Sequence, residues 1–240
     1  MRTARDTRRV LREEILIVLS LSLLASAVFA IIDLFSAPIR GQTRAVFPQV
    51  GLATQLASIT FGLAPVWLVI HLLRRSGEGV ATIGLTGDRT GFAVVSGVAL
   101  AVVVGAAGLA LYLAAVAAGF NRYVVPVPPT GQWWTVPVLV LGSAQAALLE
   151  EVVGAGYLIT RLRRLGWTAG PALATSALLR GAYHLYQGWG GFAGNLLLGA
   201  FFGWIFLRRR RLWPLVIAHF LLDVGAGAGY LLFHSRLPGP

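Results

Sequence analysis

The chain has 240 residues, 57% of them hydrophobic and only 12% charged, with a mean hydropathy of +0.75. That composition excludes an ordinary water-soluble domain, and the absence of cysteine excludes a disulfide framework, a thiolate metal site and a thiol nucleophile. Twenty basic residues against nine acidic ones raise a nucleic-acid reading, but all twenty are arginines, and most of them cluster at the ends of apolar runs, where lipid headgroups and topology account for them.

Residues 1–14 form a basic segment expected in the cytoplasm. Thr7, Arg8, Arg9, Val10 and Leu11 resemble a twin-arginine signal, and Ala25, Ser26 and Ala27 a cleavage site. Both readings are set aside, because the apolar run continues past the small residues and Glu13 and Glu14 interrupt the basic region. Apolar runs follow at 15–36, 51–73, 91–118, 135–160, 169–190, 192–207 and 212–233, each near the roughly 20 residues that a spanning helix needs. No ten-residue alternation suggests a barrel. The expectation is an all-α integral membrane protein, a bundle of about seven transmembrane helices (six to eight). It is read as one polytopic domain over residues 1–240, with a motif-bearing core at 135–233 and the polar site buried between the C-terminal helices. The sixth run is the weakest, being short and preceded by Gly188, Trp189, Gly190 and Gly191. Pro126, Pro128 and Pro129 exclude a continuous helix between Gly119 and Trp134, while Trp133, Trp134, Trp189 and Trp213 read as interfacial anchors.

Arginine counts set the expected orientation. Residues 1–14 hold five, 74–90 three, 161–168 three and 208–211 four, whereas the alternate loops hold only Arg40, Arg44, Arg122 and Arg236. The positive-inside rule then places the N-terminus in the cytoplasm and the C-terminus outside. Arginine to the exclusion of lysine points to a gene rich in G and C, and so to a bacterial cytoplasmic membrane.

Ionisable side chains inside apolar runs are costly, about 2.5 to 3.5 kcal/mol each on insertion scales, and so mark function. They gather in the C-terminal half: Glu150 and Glu151 in ALLEEVVGAGYL, Arg180 and His184 in LLRGAYHLYQGWGG, His219 and Asp223 in IAHFLLDVGAG. Asp33 and His71 lie at run ends, where interfacial solvation explains them. Arg180 and His184 are four apart, as are His219 and Asp223, so each pair shares a helix face. Adjacent Glu150 and Glu151 point about 100° apart on an ideal helix, which predicts different jobs for the two. Gly154, Ala155 and Gly156, with Gly225, Gly227 and Gly229, permit close helix approach. Gly190, Gly191, Gly194 and Asn195 could open a turn near His184. Taken singly, each polar residue is explained by packing; two carboxylates, two histidines, an aspartate and an arginine on three runs favour a reaction centre or an ion path.

Over residues 140–226 these motifs resemble the CAAX protease and bacteriocin-processing family, also called Abi or type II CAAX prenyl endopeptidases, which are intramembrane proteases. Glu150 and Glu151 match the family's Glu-Glu pair, with Ala155 where an arginine follows. His184 matches the second motif, with Arg180 where a phenylalanine precedes. His219 and Asp223 match the third, and Leu212, Trp213 and Pro214 lead into it as in the family. The two departures compensate if Arg180 supplies the cation that Ala155 lacks.

The resemblance implies an intramembrane endopeptidase in which Glu150, helped by His184, activates a water against a peptide carbonyl. His219 and Asp223 would stabilise the oxyanion or orient the group that does. An ionised aspartate cannot donate, so Asp223 would have to be protonated or act through His219. No cofactor is expected. The alternative is zinc on Glu150, His184 and His219, although the chain has no HExxH motif. Expected partners are a membrane protein or lipid-anchored peptide substrate and the bilayer, with no nucleic acid. The readings from other classes are a pseudoprotease that binds without cutting and a proton-coupled transporter using the same cluster. The polar set occupies one half of the chain only, which argues against the repeated halves of transporters.

Overall fold

Apolar segments that satisfy their own backbone hydrogen bonds are helices in lipid, and helices dominate here. The computed structural model describes residues 4–36, 44–45, 51–121, 124–125 and 132–233. Its helices are α1 (Ala4–Ser20), α2 (Leu23–Ser36), α3 (Leu52–Gly62), α4 (Ala64–Arg75), α5 (Thr90–Ala117), α6 (Thr135–Leu149), α7 (Ile159–Arg164), α8 (Ala169–Tyr183), α9 (Trp189–Arg209) and α10 (Trp213–Phe233). A π-helical stretch, Glu150–Leu158, joins α6 to α7 in one rod. Arg44–Ala45 pairs in parallel with Val124–Val125. Arg40, Arg122, Arg236 and the prolines at 126, 128 and 129 lie outside the described residues.

Among the described residues, five helical units are long and apolar enough to cross a membrane, or six if the bent pair α1–α2 is one span. The fold is the expected all-α membrane bundle, but the first run is split into α1 and α2, with α1 reaching back to Ala4, the second into α3 and α4, and the fifth and sixth divide differently. The fifth, 169–190, yields only the 15-residue α8, which ends at Tyr183 and gives way to a 3-10 turn at Leu185–Gln187. At 1.5 Å per residue α8 is about 22 Å long, short of a hydrocarbon layer of about 30 Å. The sixth run, read as weak, is the full 21-residue α9, because its helix starts at Trp189 and continues through Arg209. The glycine that makes the turn is Gly188, with φ +98°. Gly190 and Gly191 serve close packing instead, since a Cβ at Gly191 would sit 2.4 Å from Gln187 and one at Gly190 2.7 Å from Ala115.

Local chemistry explains the bends. Between α1 and α2 the Ser22 hydroxyl donates to the Val18 carbonyl at 2.6 Å, a back-bond that bends helices, and the axes differ by 47°. At the α3–α4 break Pro65 removes an amide donor, and Gln145 on α6 donates to the Gly62 carbonyl at 3.2 Å.

Glycines set the helix contacts. α8 and α9 form an antiparallel hairpin in which a Cβ at Gly203 would meet Leu173 at 2.5 Å. Gly97 admits Ile217 between α5 and α10, and Gly227 admits Leu139 between α10 and α6. Gly156 approaches the Ile83 carbonyl, whereas Gly225 and Gly229 face open space. The core surrounds the π-helical stretch, where Val152, Val153, Tyr157 and Leu158 are buried. Large apolar side chains such as Phe29, Phe61, Val95 and Trp133 are exposed, the outward-facing pattern that lipid requires.

Arg161 departs from the headgroup role expected of the 161–168 cluster. It is buried, its Nη1 is 2.9 Å from Glu78 and its Nη2 is 3.9 Å from Glu14, while Arg164 also pairs with Glu78. The pairs tie α1, the loop after α4 and the end of α7 together. Burial pushes the Glu78 carboxyl up, but the hydrogen bonds and charges of Arg161 and Arg164 outweigh it and hold it below the ordinary value. Nearby, hydrogen bonds from Arg211 and then Thr86 pull Asp88 down to about 2.

Candidate active site

The rod α6–π–α7 presents the two carboxylates, α8 the arginine, and α10 His219 and Asp223. The π-helical winding, with its i to i+5 hydrogen bonds, changes the angular step between neighbours, and such stretches concentrate at functional sites. Glu150 and Glu151 open this stretch. Both reach the same guanidinium: Glu151 Oε1 is 2.6 Å from Arg180 Nη1, and Glu150 Oε2 is 3.6 Å from Arg180 Nη2.

Glu151 is fully buried and its Oε1 accepts twice, from Arg180 and from His219 Nδ1 at 2.9 Å. With its Nδ1 proton so committed, His219 turns Nε2 toward Asp223 Oδ2 at 3.5 Å and Glu150 Oε2 at 3.9 Å. Nε2 donates only when the ring is doubly protonated. The i, i+4 spacing of His219 and Asp223 on α10 makes that approach, as the sequence predicts. Arg180 and His219 are each 5% exposed, whereas the Asp223 side chain is 39% exposed and lies at the open side.

His184 sits where α8 ends, with φ −101° and ψ 6°. Its Nδ1 is 2.9 Å from the Arg180 carbonyl. A carbonyl only accepts, so Nδ1 carries the proton and Nε2 keeps its lone pair. The ring lies 4.7 Å from that of Tyr183 and 6.1 Å from that of Tyr186.

Arg180 bridges two glutamates and approaches a histidine at 3.3 Å, with its Cζ 5.7 Å from the Phe202 ring centre. Gly199 makes the room, since a Cβ there would stand 2.9 Å from Arg180 Cδ. A small cleft opens beside it, lined by Glu150, Glu151, Ala155, Ser176, Arg180 and Tyr183 among others. Ala155, where the family has arginine, thus borders the same space as Arg180.

Two contributors escaped the sequence reading. Tyr183 donates to Glu150 Oε2 at 2.8 Å, and Ser176 donates to the Gly154 carbonyl within the π-helical stretch at 3.0 Å. Tyr183 adjoins His184, but an aromatic residue in an apolar run carries no signal of its own. Ser176, four before Arg180, shares that residue's helix face, which is the one available clue.

Among the described residues, no group of three or more His, Cys, Asp or Glu is arranged to hold a metal ion. Zinc on Glu150, His184 and His219 would have to bind through the free His184 Nε2 and compete with the Tyr183 hydroxyl on Glu150 Oε2, beside an Arg180 guanidinium that already places positive charge between the carboxylates.

Residues 132–225 match a family model, and all six candidate side chains, Glu150, Glu151, Arg180, His184, His219 and Asp223, fall inside the match. The matched family is described as type II CAAX prenyl endopeptidase Rce1-like. The stretch is an Rce1-like domain. The resemblance carried by the motifs is therefore shown, and the Rce1-like match supports a membrane protease of the CAAX type in general terms. No curated protein and no solved structure matches the chain.

Proposed function

We propose that the chain is an intramembrane endopeptidase that hydrolyses a peptide bond of a membrane-associated protein or peptide. The observation that carries this reading is the convergence of Glu150, Glu151, Arg180 and His219 from three helices on one buried point. His219 lies about 9 Å along α10 from Trp213 and Arg180 about 16 Å along α8 from Ala169, well below the arginine-rich ends.

Glu150, aided by the His184 Nε2 lone pair, takes a proton from water, and the hydroxide oxygen bonds to the peptide carbonyl carbon. The carbonyl oxygen becomes an oxyanion, which a doubly protonated His219 stabilises from Nε2, with Asp223 acting through that ring at 3.5 Å. The tetrahedral carbon then expels the amine as the C–N bond breaks, and the Glu150 proton passes to the leaving nitrogen. Glu151 stays paired with Arg180 and His219 and holds the imidazole in place. The reading is metal-free, supported by the Arg180 guanidinium that supplies positive charge beside both carboxylates, and a stoichiometric co-purifying metal required for activity would overturn that part.

The whole chain is read as one membrane domain whose catalytic core spans residues 135–233. The arginine distribution supports a cytoplasmic N-terminus and an external C-terminus in a bacterial membrane. The test compares new peptide termini in membranes from cells making the wild type and Glu150→Gln at matched levels. Termini dependent on Glu150 are expected. Their absence, with both proteins inserted and folded, would return the cluster to a pseudoprotease or proton-coupled transporter.

A further inference from the structure

The two glutamates are held very differently. Glu151 Oε1 accepts two short bonds, from Arg180 at 2.6 Å and His219 at 2.9 Å. Glu150 Oε2 is 3.6 Å from Arg180 and 3.9 Å from His219, both too long for hydrogen bonds. The short bond it accepts comes from the Tyr183 hydroxyl, at 2.8 Å. Tyr183 is the last residue of α8, buried, and ring against ring with His184.

A base must be aimed before it can be effective, and a glutamate has three rotatable side-chain bonds to fix. The guanidinium neutralises Glu150 from a distance but does not orient it. The phenol does, because a single directional bond from a buried ring removes the remaining freedom of the carboxylate.

We propose that Tyr183 is a positioning residue for Glu150: its O–H holds Oε2 and leaves Oε1 as the oxygen that meets the attacking water. This rests on Glu150 acting as the base. Tyr183 donates throughout and stays protonated, so it neither takes nor gives the reaction's proton. Packing alone would be served equally by phenylalanine, and that difference makes the inference testable.

The test uses the full-length chain with Tyr183→Phe, Glu150→Ala and the double variant. Thermal unfolding in detergent needs no substrate. Tyr183→Phe is expected to lower the melting temperature when Glu150 is present, and to be neutral or stabilising beside Glu150→Ala, where the hydroxyl has lost its acceptor. Equal effects in both backgrounds would overturn the coupling. In proteoliposomes, with a reporter peptide taken from a Glu150-dependent terminus, Tyr183→Phe is expected to lower kcat about tenfold or more with KM within about twofold. An unchanged kcat would overturn the positioning role while leaving the peptidase reading intact. Failure of the wild type to cut any membrane peptide would instead overturn the peptidase reading, and the unfolding cycle would still decide whether Tyr183 holds Glu150.

Discussion

Arg180 is the residue on which the site turns, because a fully buried Glu151 without its guanidinium would be an uncompensated charge. Removing one partner of a buried pair costs about 3 to 5 kcal/mol, so Arg180→Ala is expected to lower the melting temperature and abolish cleavage. Ala155 borders the same cleft, five residues after Glu150 and so one π-turn along. An arginine placed there can reach the carboxylates, and the pair Arg180→Phe with Ala155→Arg is expected to recover both stability and cleavage. A well-folded but inactive double variant would show that the cation must come from α8. Gly199 belongs to the same arrangement. With a Cβ 2.9 Å from Arg180 Cδ, Gly199→Ala is expected to destabilise by about 1 to 3 kcal/mol, read as a lower melting temperature, since an overpacked core must shift.

Among elements, the rod Thr135–Arg164 unites the site with the arginine-rich end of the bundle. Its π-helical stretch carries both carboxylates that meet Arg180, and Arg161 beyond it is fastened by Glu78 and Glu14. Glu78 is lowered in the folded chain from a model-peptide value of 4.5, and Asp88, held by Arg211, from 3.8 to about 2. A carboxylate with a depressed folded value contributes stability above its unfolded value, and that contribution is lost as pH falls through the folded one. The melting temperature is therefore expected to fall as pH drops from about 4.5 toward 2. Glu78→Gln should lower it at neutral pH and flatten the upper part of that acid slope. An identical slope for the variant would mean that the clamp contributes nothing.

For the whole molecule, the lack of cysteine makes sidedness simple to measure, since a single introduced thiol labels without background. Gln132 and Arg209 are both exposed, at opposite ends of the bundle as the arginine count orients it. In intact cells Gln132→Cys is expected to react with a membrane-impermeant maleimide and Arg209→Cys to react only after permeabilisation. The reverse result would invert the orientation. Bundle architecture was legible because lipid imposes a one-dimensional rule: an apolar stretch of sufficient length becomes a helix. Where that rule was applied to residues 169–190 it overran, because α8 stops at Tyr183 when His184 turns the chain and bonds the Arg180 carbonyl. The depth of a helix within a bundle is set by its neighbours, and hydropathy does not encode it.

By itself the sequence determined the membrane-helical class, singled out six polar side chains as candidates and put His219 and Asp223 four apart on one helix face, all of which follow from composition and local period. The tertiary structure alone decided that Glu150 and Glu151 share Arg180, that Tyr183 holds Glu150, and that Arg161 is an interior clamp rather than a headgroup contact. Those outcomes depend on which side chains of separate helices meet and on the glycines that let those helices approach. Both are settled by packing between segments far apart in the chain, and no local pattern of residues carries that information.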